Sequence, residues 1–399
     1  MYRQMRETIL FLLLSVALMS KGQDKMPLGA FAIDFHSHIY LRNIFSGKPA
    51  HFLFDTGADY AYPDSTFLAN SHFAFKNIER ANIGGAGGHR VIVPLIMDKI
   101  TNRFGHEVYT PPYTPVLQLK PLLGDFADGI IGIECFLNRV FEINYFHKYM
   151  RICQSVDSSM IKGFTPIAFL LKKNRIYIPA SISVNNTVVI SGLMSVDLGS
   201  GGSFTLTSST AEKYKLDSLI THKLGWYYEY YGIGGEGDSY DFRASKASIG
   251  TFELKDVVMD YSSNKGGALS DRDYIGIIGN DIWSRFDVIF DLKNEVMYLR
   301  PNENYAEPFG AGRLGFGYVD RSQTLGYWVV SGMQQESKAE KAGLKVDDHI
   351  LSLNDTLVNT FDIDRQDTLF SGRKHLDLQI QRGKEIHRIS FDTEDPHRI

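Results

Sequence analysis

Residues 51–58 read HFLFDTGA, and residues 193–200 read LMSVDLGS. In each stretch an apolar run typical of a buried strand ends in an aspartate, which is followed by one residue and a glycine. The tetrapeptide GIIG also occurs twice, at residues 129–132 and 276–279. The two aspartates lie 142 positions apart and the two GIIG elements 147 positions apart. These near-constant offsets indicate two copies of one unit.

Each copy has the features of a strand-rich fold. After GIIG, the patterns of residues 142–152 and 289–299 both predict a hairpin of two apolar strands with a polar turn. A short helix is predicted before each hairpin. Between the aspartate and GIIG, each copy contains a glycine-rich stretch, IGGAGG at 83–88 and IGGEG at 233–237. The 21 tyrosines and 26 phenylalanines also favour strands. We therefore expect two small β-barrels rather than alternating strands and helices.

This doubled set of motifs, over about residues 30–300, resembles the aspartic peptidases. The short copies and Ala58 are similar to retropepsins, whereas the fusion of both copies in one chain is similar to pepsin. The resemblance implies a mainly β protein with two pseudo-symmetric acid-protease β-barrel lobes, at residues 23–155 and 156–301. It also implies that Asp55 and Asp197 are the catalytic pair.

The chemistry of that family explains the residue types in these loops. Two carboxylates about 3 Å apart cannot both ionise, so they share a proton and supply one base and one acid. Gly57 and Gly199 would let the two loops approach closely. The resemblance implies that Thr56 hydrogen-bonds across to the opposite loop, a bond that Leu198 in the second copy cannot make.

The next residue differs between the copies, with Ala58 in the first and Ser200 in the second. A hydroxyl beside a carboxylate stabilises its ionised form, whereas a methyl group does not. We therefore hypothesise that Asp197 is the more acidic partner and that Asp55 holds the shared proton.

The glycine-rich stretches are expected to be flaps, hairpins that fold over a bound peptide. Their predicted tip residues are Gly84, Gly85, Gly87, Gly234 and Gly235. Residues 232–237 also fit the dinucleotide signature GxGxxG, but that site requires a following helix and residues 238–242 alternate like a strand. His36 and His38 share a strand face without a third metal ligand. The sequence therefore predicts neither a cofactor nor a metal.

A third region follows a polar linker predicted at residues 302–309. Residues 337–344 (SKAEKAGL) and 347–354 (DDHILSLN) resemble the PDZ family, and the likeness spans residues 310–395. Leu314, Gly315 and Phe316 stand where PDZ domains carry their carboxylate-binding loop. The resemblance implies a C-terminal peptide ligand, and the alternative is a domain that only packs against the peptidase.

The N-terminus reads as a targeting segment. Two arginines precede an apolar run at residues 9–19, which is too short for a membrane-spanning helix of about 20 residues. We interpret residues 1–22 as a signal peptide and expect an exported protein, periplasmic or extracellular, without a stable membrane span. The alternative is a retained N-terminal anchor. The net charge of −4 gives no reason to expect a nucleic acid partner.

Two interpretations remain open at this point. Cys135 and Cys153 either form a disulfide or are two buried thiols. The chain is either a monomeric aspartic endopeptidase acting on peptide or protein substrates, or a catalytically silent peptide-binding protein. Leu198 is the residue that favours the silent form.

Overall fold

The structure is a computed structural model that describes residues 26–399, except residues 86, 88, 186, 396 and 398 and the side chains of 229–231 and 367. The predicted signal peptide therefore lies outside the described residues. Strands make up 47% and helices 12%, which confirms the prediction of a mainly β protein. No helix in the described part of the chain is long and apolar enough to cross a membrane.

Residues 26–155, which contain the first repeat, form short strands and two short helices. In chain order the strands are β1 (Ala30–His36), β2 (His38–Phe45), β3 (Lys48–Asp55), β4 (Ala61–Pro63), β5 (Ile78–Ile83), β6 (Val91–Ile96), β7 (Asn102–Phe104), β8 (Glu107–Tyr109), β9 (Thr114–Pro115), β10 (Gly129–Gly132), β11 (Val140–Asn144) and β12 (Tyr149–Cys153). The helices are α1 (Ser65–Asn70) and α2 (Lys120–Leu123), and a 3-10 helix covers Ile133–Phe136.

The second repeat, residues 156–301, has longer strands. They are β13 (Thr165–Ala168), β14 (Leu170–Lys172), β15 (Arg175–Ser183), β16 (Val189–Val196), β17 (Phe204–Leu206), β18 (Leu224–Gly232), β19 (Gly235–Ile249), β20 (Phe252–Ser262), β21 (Gly276–Ile278), β22 (Phe286–Asp291) and β23 (Val296–Pro301). Its helices are α3 (Ser208–Tyr214), α4 (Leu216–Leu219) and α5 (Asn280–Trp283), with a 3-10 helix at Ala268–Ser270.

The C-terminal region, residues 310–395, combines strands with two helices. The strands are β24 (Phe316–Arg321), β25 (Tyr327–Gln334), β26 (His349–Leu353), β27 (Thr356–Leu357), β28 (His375–Arg382) and β29 (Glu385–Asp392). The helices are α6 (Lys338–Lys341) and α7 (Ile363–Leu369), with a 3-10 helix at Val358–Thr360.

The duplication in the sequence is also a duplication of strand pairing. In the first repeat β3 runs parallel to β10, and Phe54 lies opposite Ile131. In the second repeat β16 runs parallel to β21, and Val196 lies opposite Ile278. A short helix and a hairpin follow in both, as predicted. The GIIG strand in each repeat therefore supports the strand that ends at an aspartate.

One sheet joins the two repeats. β11 pairs antiparallel with β22 from Val140–Asp291 to Asn144–Asp287, and the hairpin partners β12 and β23 continue the sheet on either side. Phe141 and Phe290 stack across this seam with ring centroids 4.7 Å apart, and both side chains are fully buried. Because the apolar core extends through both repeats, their relative position is fixed by burial as well as by hydrogen bonds.

The C-terminal region has its own apolar core and continues the sheet of the second repeat. β18 pairs antiparallel with β25, from Trp226–Gln334 to Tyr228–Gly332. The segment 302–309, predicted as a linker, packs against the second repeat, where the Arg285 guanidinium lies 3.7 Å from the centre of the buried Phe309 ring.

The two cysteines are free thiols in the structure. Burial raises the pKa of the Cys135 thiol well above its usual value, and its sulfur donates to the Gly132 carbonyl at 3.2 Å. Of the two interpretations of Cys135 and Cys153, the structure adopts the unpaired one.

A buried ion pair connects the first repeat to the C-terminal region. The Asp125 carboxylate, 3% exposed, lies 2.9 Å from Arg321 Nε and accepts the Thr324 N–H at 2.8 Å. Asp125→Ala should lower the free energy of unfolding by about 3 kcal/mol because it leaves a buried guanidinium unpaired. Urea denaturation followed by fluorescence measures the change.

The matched control is Asp273→Ala, since Asp273 is 72% exposed and lies 3.5 Å from Lys172 Nζ. That variant should change the free energy of unfolding by less than about 0.5 kcal/mol. Equal effects of the two substitutions would contradict a stabilising role for the Asp125 pair.

Candidate active site

A cleft of about 1000 Å³ lies between the two repeats. Asp55 and Asp197 line it together, and the glycine-rich stretches of both repeats line it as well. The structure thus brings the predicted carboxylate pair and the predicted flaps into one cavity.

The two aspartates occupy equivalent positions at the ends of β3 and β16. Asp55 Oδ1 accepts the Gly57 N–H at 2.6 Å, and Asp197 Oδ1 accepts the Gly199 N–H at 3.0 Å. The two carboxyl groups are also hydrogen-bonded to each other. A Cβ atom at position 199 would lie 2.4 Å from Asp55 Cγ, so only glycine permits this approach of the loops.

Thr56 connects the two loops. Its hydroxyl donates to the Val196 carbonyl at 2.7 Å and accepts the Leu198 N–H at 3.0 Å, both on the opposite loop. Leu198, the residue at the matching position, is fully buried and contributes only apolar packing. Thr56 alone therefore makes both of these hydrogen bonds between the two loops.

Asn280 anchors the loop that lacks a threonine. Its Nδ2 donates to the Leu198 carbonyl at 2.7 Å, and its Oδ1 accepts the Tyr145 hydroxyl of the first repeat at 3.0 Å. Asn280 directly follows GIIG, where the first copy has Ile133. The role of Asn280 was not predicted, although a polar residue in place of a core isoleucine is a detectable signal in the sequence.

The sequence suggests only one role for His38, that of a metal ligand. In the structure it lines the cleft instead. Its ring lies against the backbone of Gly199 and lines the cleft. Burial lowers the pKa of His38 to about 4, so the ring is neutral at higher pH. Within the described residues no group of three metal-binding side chains exists.

Burial raises the pKa of both carboxyl groups, and the charge of Asp55 helps to raise the pKa of Asp197 to about 7. The N–H groups of Gly57 and Ala58 both favour ionised Asp55, whereas Asp197 has only that of Gly199. The guanidinium of Arg175, 2.8 Å from Asp59 Oδ1, lowers both pKa values by its charge. The raised pKa values favour a proton shared within the pair, and the two carboxyl groups titrate as one unit.

The order of acidity expected from Ser200, with the shared proton on Asp55, stays a prediction. The Ser200 hydroxyl accepts the Gly202 N–H at 3.3 Å within its own loop. Backbone N–H groups around the pair, which a residue-type comparison with Ala58 does not include, also stabilise the ionised forms.

The two predicted flaps are hairpins whose tips touch each other. The first is formed by β5 and β6 and the second by β18 and β19. The Gly87 N–H donates to the Ile233 carbonyl at 3.0 Å, and the His89 N–H donates to the Gly234 carbonyl at 3.1 Å. The Gly85 carbonyl accepts the Ala268 N–H at 3.2 Å.

Two of the predicted flap glycines, Gly84 and Gly235, do not contribute to the hydrogen bonds between the tips given above. Gly84 lines the cleft, whereas Gly235 has φ +116° at the start of β19. The strand that follows Gly235 is the continuation that the sequence predicted in place of a nucleotide-binding helix.

The predicted carboxylate-binding loop lies at the start of β24. Leu314 packs half-buried against the C-terminal core, Phe316 is buried in it, and Gly315 has φ +72°. The Gly315 carbonyl accepts the Gln334 N–H at 3.0 Å. The last residue of the chain, Ile399, is bound elsewhere, since its terminal oxygen accepts Arg243 Nε of the second repeat at 2.7 Å.

A scan against models of protein families finds no match for this chain, and a search of curated proteins finds none either. The functional conclusion therefore depends on the residues and their geometry.

Thr56→Val tests the contact between the loops. It should lower the free energy of unfolding by about 2 to 4 kcal/mol because the buried Val196 carbonyl and Leu198 N–H lose their partner. Thr66→Val, at an exposed position in α1, is the control and should change it by less than about 0.5 kcal/mol. A similarly small loss of unfolding free energy in Thr56→Val would show that the hydrogen bonds of Thr56 do not stabilise the protein.

The raised pKa of Asp197 predicts a pH dependence of stability. Between the unfolded pKa of about 3.9 and the folded pKa of about 7, the folded state binds more protons than the unfolded state. Stability from this group should fall by about 1.4 kcal/mol per pH unit in that window as pH rises, and stay constant above it.

Urea denaturation at several pH values checks this, with Asp197→Asn compared with the unchanged protein. The slope should be smaller in Asp197→Asn and unchanged in Asp256→Asn, where the side chain is exposed. Identical slopes in all three proteins would contradict a raised pKa at Asp197.

Proposed function

We propose that this chain is an aspartic endopeptidase in which the Asp55/Asp197 dyad activates a water molecule. The observation that supports it is a pair of hydrogen-bonded, buried carboxyl groups on two equivalent loops, facing a cleft under two hairpins. A structural role alone gives no reason to bury two like-charged groups in contact, since that raises their pKa values and destabilises the folded protein above the unfolded pKa.

In the proposed reaction an extended peptide lies across both repeats beneath the flap tips. The ionised member of the pair takes a proton from the water as it attacks the peptide carbonyl, and the protonated member polarises that carbonyl. The proton then passes to the leaving nitrogen, which completes hydrolysis without a cofactor. Glycine at 57 and 199 keeps the carboxyl groups close enough to share the proton.

We also propose the finer architecture implied by the resemblance. Residues 23–155 and 156–301 act as two acid-protease lobes, and residues 310–395 act as a PDZ-like domain. The loop at Leu314–Phe316 would receive a peptide C-terminus beside β24. Ile399 contacts Arg243 and therefore does not occupy this loop itself. Export to the periplasm or the extracellular space remains a prediction from residues 1–22.

The second candidate function is binding of peptides without cleavage. Leu198 favours it because one of the two loops has no hydroxyl to hold the opposite backbone. Asn280 opposes it, since its amide supports the Leu198 carbonyl. Retention of both aspartates is unexplained by binding alone.

The test is cleavage of an unstructured protein substrate from pH 3 to 8. The purified protein should cleave it, and Asp55→Asn should lower the rate at least about 1000-fold because one carboxyl group alone cannot supply both the base and the acid. Mass spectrometry of the products identifies the bonds that are cut.

The control is Asp256→Asn, on the exposed surface of the second repeat, which should retain full activity. If neither the unchanged protein nor Leu198→Thr cleaves any substrate while peptide still binds, the silent binding function is the correct one.

A further inference from the structure

The second repeat presents an ordered row of side chains to the cleft. Strand pairing places Ser195 beside Ile277, Ile277 beside Thr205, Thr205 beside Asp260, and Asp260 beside Asp241. All five residues line the cavity that contains the dyad. The row therefore begins two residues before Asp197 and ends in two neighbouring carboxylates on β20 and β19.

Each of the two carboxylates accepts a hydrogen bond from a neighbouring side chain, but one oxygen of Asp260 does not. Thr205 Oγ1 donates to Asp260 Oδ2 at 2.9 Å, and Trp226 Nε1 donates to Asp241 Oδ2 at 2.8 Å. Asp260 Oδ1 is buried and accepts no hydrogen bond within the described residues. A buried polar atom without a partner is costly, so this oxygen is suited to a donor that arrives from the cleft.

The charges around Asp260 also favour a cationic ligand. Burial raises the pKa of Asp260 well above its usual value, and the neighbouring Asp241 carboxylate raises it further. A positive charge placed between the two carboxylates would reverse both effects by stabilising the ionised forms.

We propose that Asp260 and Asp241 form a subsite for a basic side chain of the peptide substrate, lysine or arginine. This inference rests on the proposed function of the cleft and names the class of substrate that it takes. An ammonium or guanidinium group supplies donors for Asp260 Oδ1 and a charge that complements both aspartates.

The position of the subsite limits which substrate residue it receives. Asp260 lies three strands from Ser195 in the sheet, or about 14 Å at 4.8 Å per strand. An extended peptide advances about 3.3 Å per residue, and the side chains of lysine and arginine are long. The basic residue should therefore lie within about three positions of the bond that is cut.

A competing explanation needs no ligand. Asp241 and Asp260 then share a proton and form a structural pair on the cleft wall. This explanation predicts no preference for basic residues, so it is one outcome of the experiment below.

Binding is measured first, on the Asp55→Asn protein, with fluorescein-labelled nine-residue peptides that carry lysine or norleucine at one position in turn. At one position lysine should bind about 10-fold to 100-fold tighter than norleucine. Asp260→Asn and Asp241→Asn should each reduce that ratio, and Asp256→Asn should leave it unchanged. Unfolding midpoints of all variants establish that they are folded.

Cleavage of the same peptides by the protein with both catalytic aspartates tests the basic subsite and the peptidase function separately. Cleavage without a basic preference, or a preference that survives both Asp260→Asn and Asp241→Asn, overturns the subsite and leaves the peptidase function intact. A basic preference in binding without any cleavage supports the subsite and overturns the peptidase function.

Discussion

The contact between the carboxyl groups of Asp55 and Asp197 is the constraint on which the rest of the site depends. Two buried carboxylates repel each other and lose hydration, so their contact persists only if they share a proton and if the surrounding structure holds them in place. The sheet that joins β11 to β22 and the core that extends through both repeats provide that support. Glycine at position 199 is required because a Cβ atom would strike the opposite carboxylate, and a Cβ atom at position 57 would lie 2.9 Å from Asp55 Oδ1 of its own loop.

The two copies have diverged in how they satisfy their loops. The first copy has Thr56 in the loop and Ile133 after GIIG, whereas the second has Leu198 in the loop and Asn280 after GIIG. Each repeat thus contributes one polar anchor, but at different positions of the duplicated unit. Thr56 holds the Val196 carbonyl and Leu198 N–H, and Asn280 holds the Leu198 carbonyl. The loop with leucine is therefore anchored on both sides, and the departure from a symmetric clamp is offset by another residue.

The sequence predicted the features that are local or repeated. The strand before each aspartate, the hairpins behind GIIG and the strand after Gly235 follow from apolar periodicity and from turn residues. The contacts of Asn280, His38 and the flap tips with distant residues were not predicted because each depends on where the fold brings separate strands. The backbone N–H groups of Gly57, Ala58 and Gly199 that favour the ionised carboxylates were not predicted for the same reason.

The second flap is joined to the C-terminal region by main-chain hydrogen bonds, which limits how the cleft can open. β18 pairs with β25 as far as Tyr228, and the pairing of β18 with β19 shifts register between Tyr228 and Gly232. A movement of the whole hairpin would have to break the pairing with β25 or carry the C-terminal region with it. A movement of the tip alone can instead bend the hairpin at the irregular register, where the ladder is already interrupted. Because Ile233 of this tip packs against the first repeat, such bending would separate the two flaps and expose the dyad while both cores stay intact.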